Sequence, residues 1–174
     1  IPMKKIILLG YMGCGKSTIA EKLSGLLHLP FVDLDKSIEA KAAMTINQIF
    51  ESFGEVYFRK LEHDVFVELL ATSENQIIGL GGGTPCYANN HELLKGEGIT
   101  SIYLKASVET LFNRLSHNKS KRPIVANKTE DELKEFIAKH LFDRSYYYNQ
   151  AEYKVAVDGK SIDETVADIM SVLA

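Results

Sequence analysis

The stretch Gly10-Tyr11-Met12-Gly13-Cys14-Gly15-Lys16-Ser17-Thr18 fits the pattern G-x-x-x-x-G-K-[ST], a phosphate-binding loop. Its flanks are the ones the motif requires. Ile6-Ile7-Leu8-Leu9, short and β-branched, reads as a buried strand before it. Ile19 to Leu27, with apolar residues at helical spacing, reads as a helix after it. Glycines let the loop turn and aim backbone N–H groups at an anion, and the helix N-terminus adds unpaired donors. Gly13, Cys14, Gly15, Lys16, Ser17 and Thr18 are therefore candidate nucleotide-binding residues. Lys16 would reach the β- and γ-phosphates, and Ser17 would offer its hydroxyl to Mg²⁺.

A chain of 174 residues, 45% hydrophobic and 25% charged, is expected to form one soluble globular domain. A net charge of −3 argues against a broad nucleic-acid surface. Without an apolar run of about 18 residues, no membrane span is expected. Cys14 and Cys86 lack metal or disulfide spacing, so a cytoplasmic location is expected. Ile1 and Pro2 precede Met3, the expected native start, and no leader pattern is visible.

Phe31-Val32-Asp33-Leu34-Asp35 reads as a second strand, with alternation placing Asp33 and Asp35 on one side. Acids there suit magnesium and substrate work, although solvated turn acids would look the same. A short helix is expected near Ser37 to Ala43. Thr45 to Gln48 reads as a capping box opening a helix that Gly54 ends. The next helix runs from about Glu55 to Thr72, with Val56, Phe58 and Leu61 among its apolar positions. Arg59 and Glu62 are neighbours on its surface. Spacing alone favours an ordinary surface salt bridge over a guanidinium aimed at a ligand carboxylate.

Gln76 to Leu80 is a third strand running into Gly81-Gly82-Gly83, which suggests backbone close to a ligand or a flexible turn. Ser101 to Leu104 and Tyr153 to Val157 are the fourth and fifth strands. Between them, Ser116 to Pro123 is polar, basic and interrupted by proline. It reads either as a solvated loop or as a lid that brings Arg122 onto the transferring phosphoryl group. Asn127-Lys128-Thr129-Glu130 nearly matches a guanine-reading motif, but Thr129 to Glu132 fits a helix cap better. Strands alternating with helices indicate a parallel sheet covered on both faces. The expected fold is a P-loop NTPase-type three-layer α/β/α domain, nucleoside-monophosphate-kinase-like, with five parallel strands. A phosphate cradle, acids and a basic loop at one sheet edge suggest a small-molecule kinase.

Six motifs, in order and at fitting separations, give the chain a resemblance to the shikimate kinase family over nearly its whole length. They are the P-loop Gly10–Ser17, Asp33-Leu34-Asp35, Phe58-Arg59-Lys60-Leu61-Glu62, Gly81-Gly82-Gly83, Arg122-Pro123, and Arg144 to Tyr148. The resemblance implies transfer from ATP, with Mg²⁺, to the 3-hydroxyl of shikimate in chorismate and aromatic amino acid biosynthesis. It implies that Asp35 orients or deprotonates that hydroxyl, with Lys16 and Arg122 as the other catalytic groups. Arg59 and Arg144 would grip the shikimate carboxylate, with Glu62 orienting Arg59 and Gly81, Gly82 and Gly83 presenting backbone to the ring. Ile46, Phe50 and Phe58 would wall the acceptor pocket. Asp33 would hold Mg²⁺ through water beside Ser17, and Arg114 would lie against adenine. A lid at about 116–128, a shikimate-binding segment at about 36–62 and a monomer are also implied, with small molecules as the only partners. Two departures stand out: Tyr146-Tyr147 where the family often has Pro-Leu, and Thr84-Pro85-Cys86 after the glycines. The alternatives are another small-metabolite kinase on this fold, such as a gluconate kinase, and a non-catalytic ATP-binding module.

Overall fold

All five residues of β1 (Lys5–Leu9) are buried, as expected of an apolar strand covered on both faces. It lies between β3 (Gln76–Gly79) and β4 (Ile99–Lys105), with β2 (Phe31–Asp33) and β5 (Tyr153–Ala156) at the edges. The five-stranded order is β2-β3-β1-β4-β5, and every pairing is parallel. The register sets Leu8 beside both Gly79 and Ile102; β1 and β3 end within a residue of each other, while β4 runs two residues further to pair with β5. The computed structural model describes residues 4–117 and 128–174. Most of the expected lid, Arg122 included, lies outside those residues.

The helices are α1 (Lys16–Leu27), α2 (Leu34–Ala42), α3 (Ile46–Ala71), α4 (Val108–His117), α5 (Glu130–Tyr148) and α6 (Ile162–Leu173). α1 packs on α6, α2 on α3, and α4 on α5, giving the three-layer P-loop architecture. Among the described residues no helix is long and apolar enough to cross a membrane. Local chemistry sets several starts. The Thr45 hydroxyl accepts from Gln48 N at 3.1 Å while the Gln48 side chain accepts from Thr45 N at 2.8 Å, and Ser161 and Glu164 repeat that capping box on α6. Gly54 interrupts α3 with φ 85°, so α3 runs as two helical segments across a kink, as its sequence suggests.

Two expectations are corrected. The second strand does not reach Asp35. It stops at Asp33, whose carboxylate accepts from Asp35 N at 2.9 Å and Lys36 N at 3.4 Å and so starts α2 three residues early. A side-chain cap outcompetes continued strand pairing at a sheet edge. Val56 is 86% exposed, not apolar core, because the Gly54 kink rotates the helix that follows.

The chain leaves β1 for β2, beyond β3, and leaves β3 for β4, beyond β1. The neighbouring strands β1 and β3 thus send their connections in opposite directions. That arrangement opens a crevice at their carboxyl ends, where the P-loop and the three glycines lie.

Candidate active site

A cleft of about 650 Å³ occupies this crevice. Lys16, Ser17, Asp33, Asp35, Gly82 and Arg114 are among the residues lining it. Gly15 stands before α1 with φ 92° and caps it without a side chain, so the first-turn N–H groups face the cleft. The Cys14 side chain turns inward and is 1% exposed, and burial pushes its thiol pKa up. What Cys14 offers the cleft is backbone. Arg114, from α4, donates to the Gly13 carbonyl at 3.1 Å and so braces the loop from outside.

Asp33 and Asp35 reach the cleft by the capped turn between β2 and α2 rather than by strand alternation. One Asp33 oxygen, Oδ1, is engaged by the helix N-terminus, while Oδ2 makes none of these capping bonds. Burial first, and the Asp33 charge second, push the Asp35 carboxyl up to about 6, against a partial pull downward from Lys16.

The three glycines are the meeting point. A Cβ on Gly81 would lie 3.0 Å from Asp35 Oδ1, one on Gly82 3.1 Å from Arg144 Nη1, and one on Gly83 2.9 Å from Arg59 Nη2. Three candidate site side chains, from α2, α5 and α3, therefore rest against one stretch of backbone that has no side chains of its own. The Arg59–Glu62 pair is not a surface salt bridge. Glu62 is 1% exposed and accepts from Arg59 Nη1 at 3.0 Å and from the Thr84 hydroxyl at 2.8 Å. The Arg59 guanidinium stacks 3.8 Å above the Tyr87 ring, and its buried Nε has no hydrogen-bond partner. Beside it the Phe50 and Phe58 rings pack at 4.7 Å, one turn along from the half-buried Ile46.

A family model described as shikimate kinase matches residues 12–174. The chain belongs to the shikimate kinase family. A shikimate kinase from Flavobacterium johnsoniae is 67% identical over 99% of this chain and all of its own. The crystal structure of shikimate kinase from Bacteroides thetaiotaomicron superposes with a TM-score of 0.90 at 36% identity, covering 98% of each chain. Shikimate kinase from Acinetobacter baumannii, solved in complex with shikimate, gives 0.84 at 31% identity over 98% of this chain and 93% of its own. The phosphotransferase class expected from the sequence follows from membership of the shikimate kinase family.

Sequence reasoning gave no role to several residues around this site, Tyr148 among them although it closes the Arg144 to Tyr148 motif. Tyr148 is fully buried, and its hydroxyl donates to the Gly82 carbonyl at 2.6 Å while accepting from Arg144 at 3.4 Å. Its position four residues after Arg144 was the available signal, since that spacing shares a helix face. Tyr11, inside the P-loop, presents its ring 5.6 Å from the Arg144 guanidinium and meets His140 Nδ1 at 2.9 Å. Ile162, at the first turn of α6, lines the cleft near Arg114. Nothing local in the sequence marks Tyr11 or Ile162. Replacing Tyr148 by Phe leaves the half-buried Gly82 carbonyl without its donor. The expected cost is about 1–2 kcal/mol, a Tm drop of roughly 3–6 °C by calorimetry. An unchanged Tm would show that water replaces the phenol.

Proposed function

We propose that this chain transfers the γ-phosphoryl group of ATP to the 3-hydroxyl of shikimate, giving shikimate 3-phosphate and ADP. The observation that carries the reading is the convergence on Gly81–Gly83 of one raised carboxyl, Asp35, and two guanidiniums, Arg59 and Arg144, beside a P-loop. An acceptor with a carboxylate at one end and ring hydroxyls at the other matches that charge pattern. Arg59, held by Glu62, and Arg144, held by Tyr148, grip the carboxylate, each guanidinium offering paired donors. Asp35 accepts a hydrogen bond from the 3-hydroxyl, aims its oxygen at the γ-phosphorus and takes the proton as the bond forms. Phe50, Phe58 and Ile46 exclude water from the ring.

On the donor side, Lys16 and the loop N–H groups of Gly13 to Thr18 hold the phosphates, with Arg114 and Ile162 flanking the base. Arg122, outside the described residues, is assigned to the phosphates by resemblance alone, as is the lid at about 116–128. The donors that fit a metal are all oxygen: the Ser17 hydroxyl and the Asp33 carboxylate, both lining the cleft. That set suits Mg²⁺, which Ser17 would hold together with Asp33, the latter through water. When bound, Mg²⁺ would neutralise charge on the β- and γ-phosphates. The segment 36–62 is read as the acceptor-binding part of a single domain, and the monomer is part of the reading by resemblance alone. A cytoplasmic location is part of the reading, and the two free thiols suit it.

The test is coupled ADP release with Mg-ATP and shikimate, beside gluconate and nucleoside monophosphates. Release with shikimate only is expected. Release with another acceptor would keep the kinase and overturn the roles of the arginines. ATP binding without release would favour a regulatory module.

A further inference from the structure

The carboxylate that steadies Arg59 is itself held by a run of buried hydrogen bonds. Glu62 Oε1 faces Arg59, and Oε2 accepts from the Thr84 hydroxyl at 2.8 Å. The Thr84 carbonyl in turn accepts from Asn90 Nδ2 at 3.0 Å. Asn90 Oδ1 lies 2.6 Å from His63 Nδ1. With the Asn90 amide donating to Thr84, its oxygen is the acceptor, so His63 Nδ1 carries the proton. Thr84 and Asn90 are both fully buried. They sit in the two 3₁₀ turns, Thr84–Cys86 and Asn90–Leu94, that follow the glycines, whereas Arg59, Glu62 and His63 belong to α3. The network pins the turn after Gly83 to the helix that carries the guanidinium.

Arg59 has a second carboxylate within reach. Glu55, one turn back and with a side chain 57% exposed, lies 3.8 Å from Nε. The direction of the guanidinium therefore depends on which acid holds it more firmly. A carboxylate with one oxygen fixed by Thr84 presents the other in a fixed direction; without that donor it would rotate and lose the advantage over Glu55. The conformation seen leaves the Arg59 Nε buried and without a hydrogen bond, with Glu55 at ion-pair distance only.

We propose that Thr84 and Asn90 are positioning residues for the acceptor's carboxylate, acting through Glu62 on Arg59. The proposal rests on the reading of Arg59 as a carboxylate grip. It also gives the departure Thr84-Pro85-Cys86 a role: Thr84 supplies the hydroxyl, and the turn it opens places Asn90.

The experiment is steady-state kinetics on Thr84→Val and Thr84→Ser, each alone and combined with Arg59→Leu. Val keeps the shape of Thr and removes only the hydroxyl. Thr84→Val is expected to raise the shikimate KM about tenfold, leaving kcat within about threefold and the ATP KM within about twofold. Thr84→Ser restores the wild-type KM. In the Arg59→Leu background, Thr84→Val adds less than about twofold, because the group it acts through is gone. A merely structural role would instead give the same effect in both backgrounds, and that result, or an unchanged KM, overturns the proposal. Should Thr84→Val not fold, Asn90→Ala carries the same test, with an expected KM increase of about threefold and the same dependence on Arg59. Failure of the wild-type enzyme to use shikimate at all is a separate outcome: it removes the acceptor, and this role with it.

Discussion

Asp35→Asn is expected to lower turnover by about a hundredfold or more and, at pH 8, to raise the melting temperature. The two effects have one cause. The Asp35 carboxyl is pushed from 3.8 to about 6, first by burial and then by Asp33. A carboxyl with a raised pKa binds its proton more tightly in the folded than in the unfolded chain. Its ionisation therefore costs stability, fully above pH 6, less between 6 and 3.8, and not at all below. A shift of this size corresponds to about 3 kcal/mol at most, and solvent reaching a partly exposed side chain reduces it to about 1–2. For a chain of this length that is a rise of roughly 2–6 °C. Asn keeps the shape, carries no charge at any pH, and cannot take a proton. Melts in EDTA without nucleotide, at pH 8 and pH 5, test the stability half. The advantage of Asn should shrink at pH 5, and a difference that does not change with pH would remove the electrostatic explanation. On the activity side, wild-type kcat/KM for shikimate should fall below pH 6, as the free enzyme's Asp35 takes up its proton. Near-normal turnover of Asp35→Asn would show that the carboxylate is not central.

Gly83→Ala is expected to raise the shikimate KM by roughly ten- to a hundredfold, with the ATP KM little changed. Gly83 has φ −93° and ψ −9°, a conformation alanine adopts without strain, so the backbone itself does not object. The obstacle is a single methyl group 2.9 Å from Arg59 Nη2 and 3.0 Å from Nη1. Those atoms are the far end of a flexible side chain, so the guanidinium yields and the fold persists, with a Tm loss of only about 1–3 °C expected. The binding geometry is what is lost. A variant with wild-type KM would mean that Arg59 is not the carboxylate grip, or that it binds from a different direction. A large Tm loss would mean that Arg59 cannot move and that the glycine serves packing.

Much of the frame was legible in the residues because it is set by interactions a few residues long. The strand, the P-loop and α1 follow from an apolar run, close-set glycines and helical periodicity. The starts of α3 and α6 follow from Thr45 with Gln48 and from Ser161 with Glu164, side chains that satisfy N–H groups within one turn. The kink at Gly54 is likewise local. Five strands alternating with helices were enough for a parallel sheet with its ligands at one edge. The resemblance to shikimate kinases named the residues of the site by their motifs, without showing how they meet.

What the tertiary structure decided is each feature that joins distant parts of the chain. The strand order β2-β3-β1-β4-β5 comes from packing, not from any one segment. Asp35 reached the cleft from a helix rather than a strand, because Asp33 capped that helix at the sheet edge. The Arg59–Glu62 pair looked like a surface pair in sequence and became a buried one only when Thr84, 22 residues on, covered it. Gly82 found its partner in Tyr148, 66 residues away. A short-range hydrogen bond or steric limit is written into a few neighbouring residues. Burial, and the choice among competing charged partners, exist only once the whole chain has closed around them.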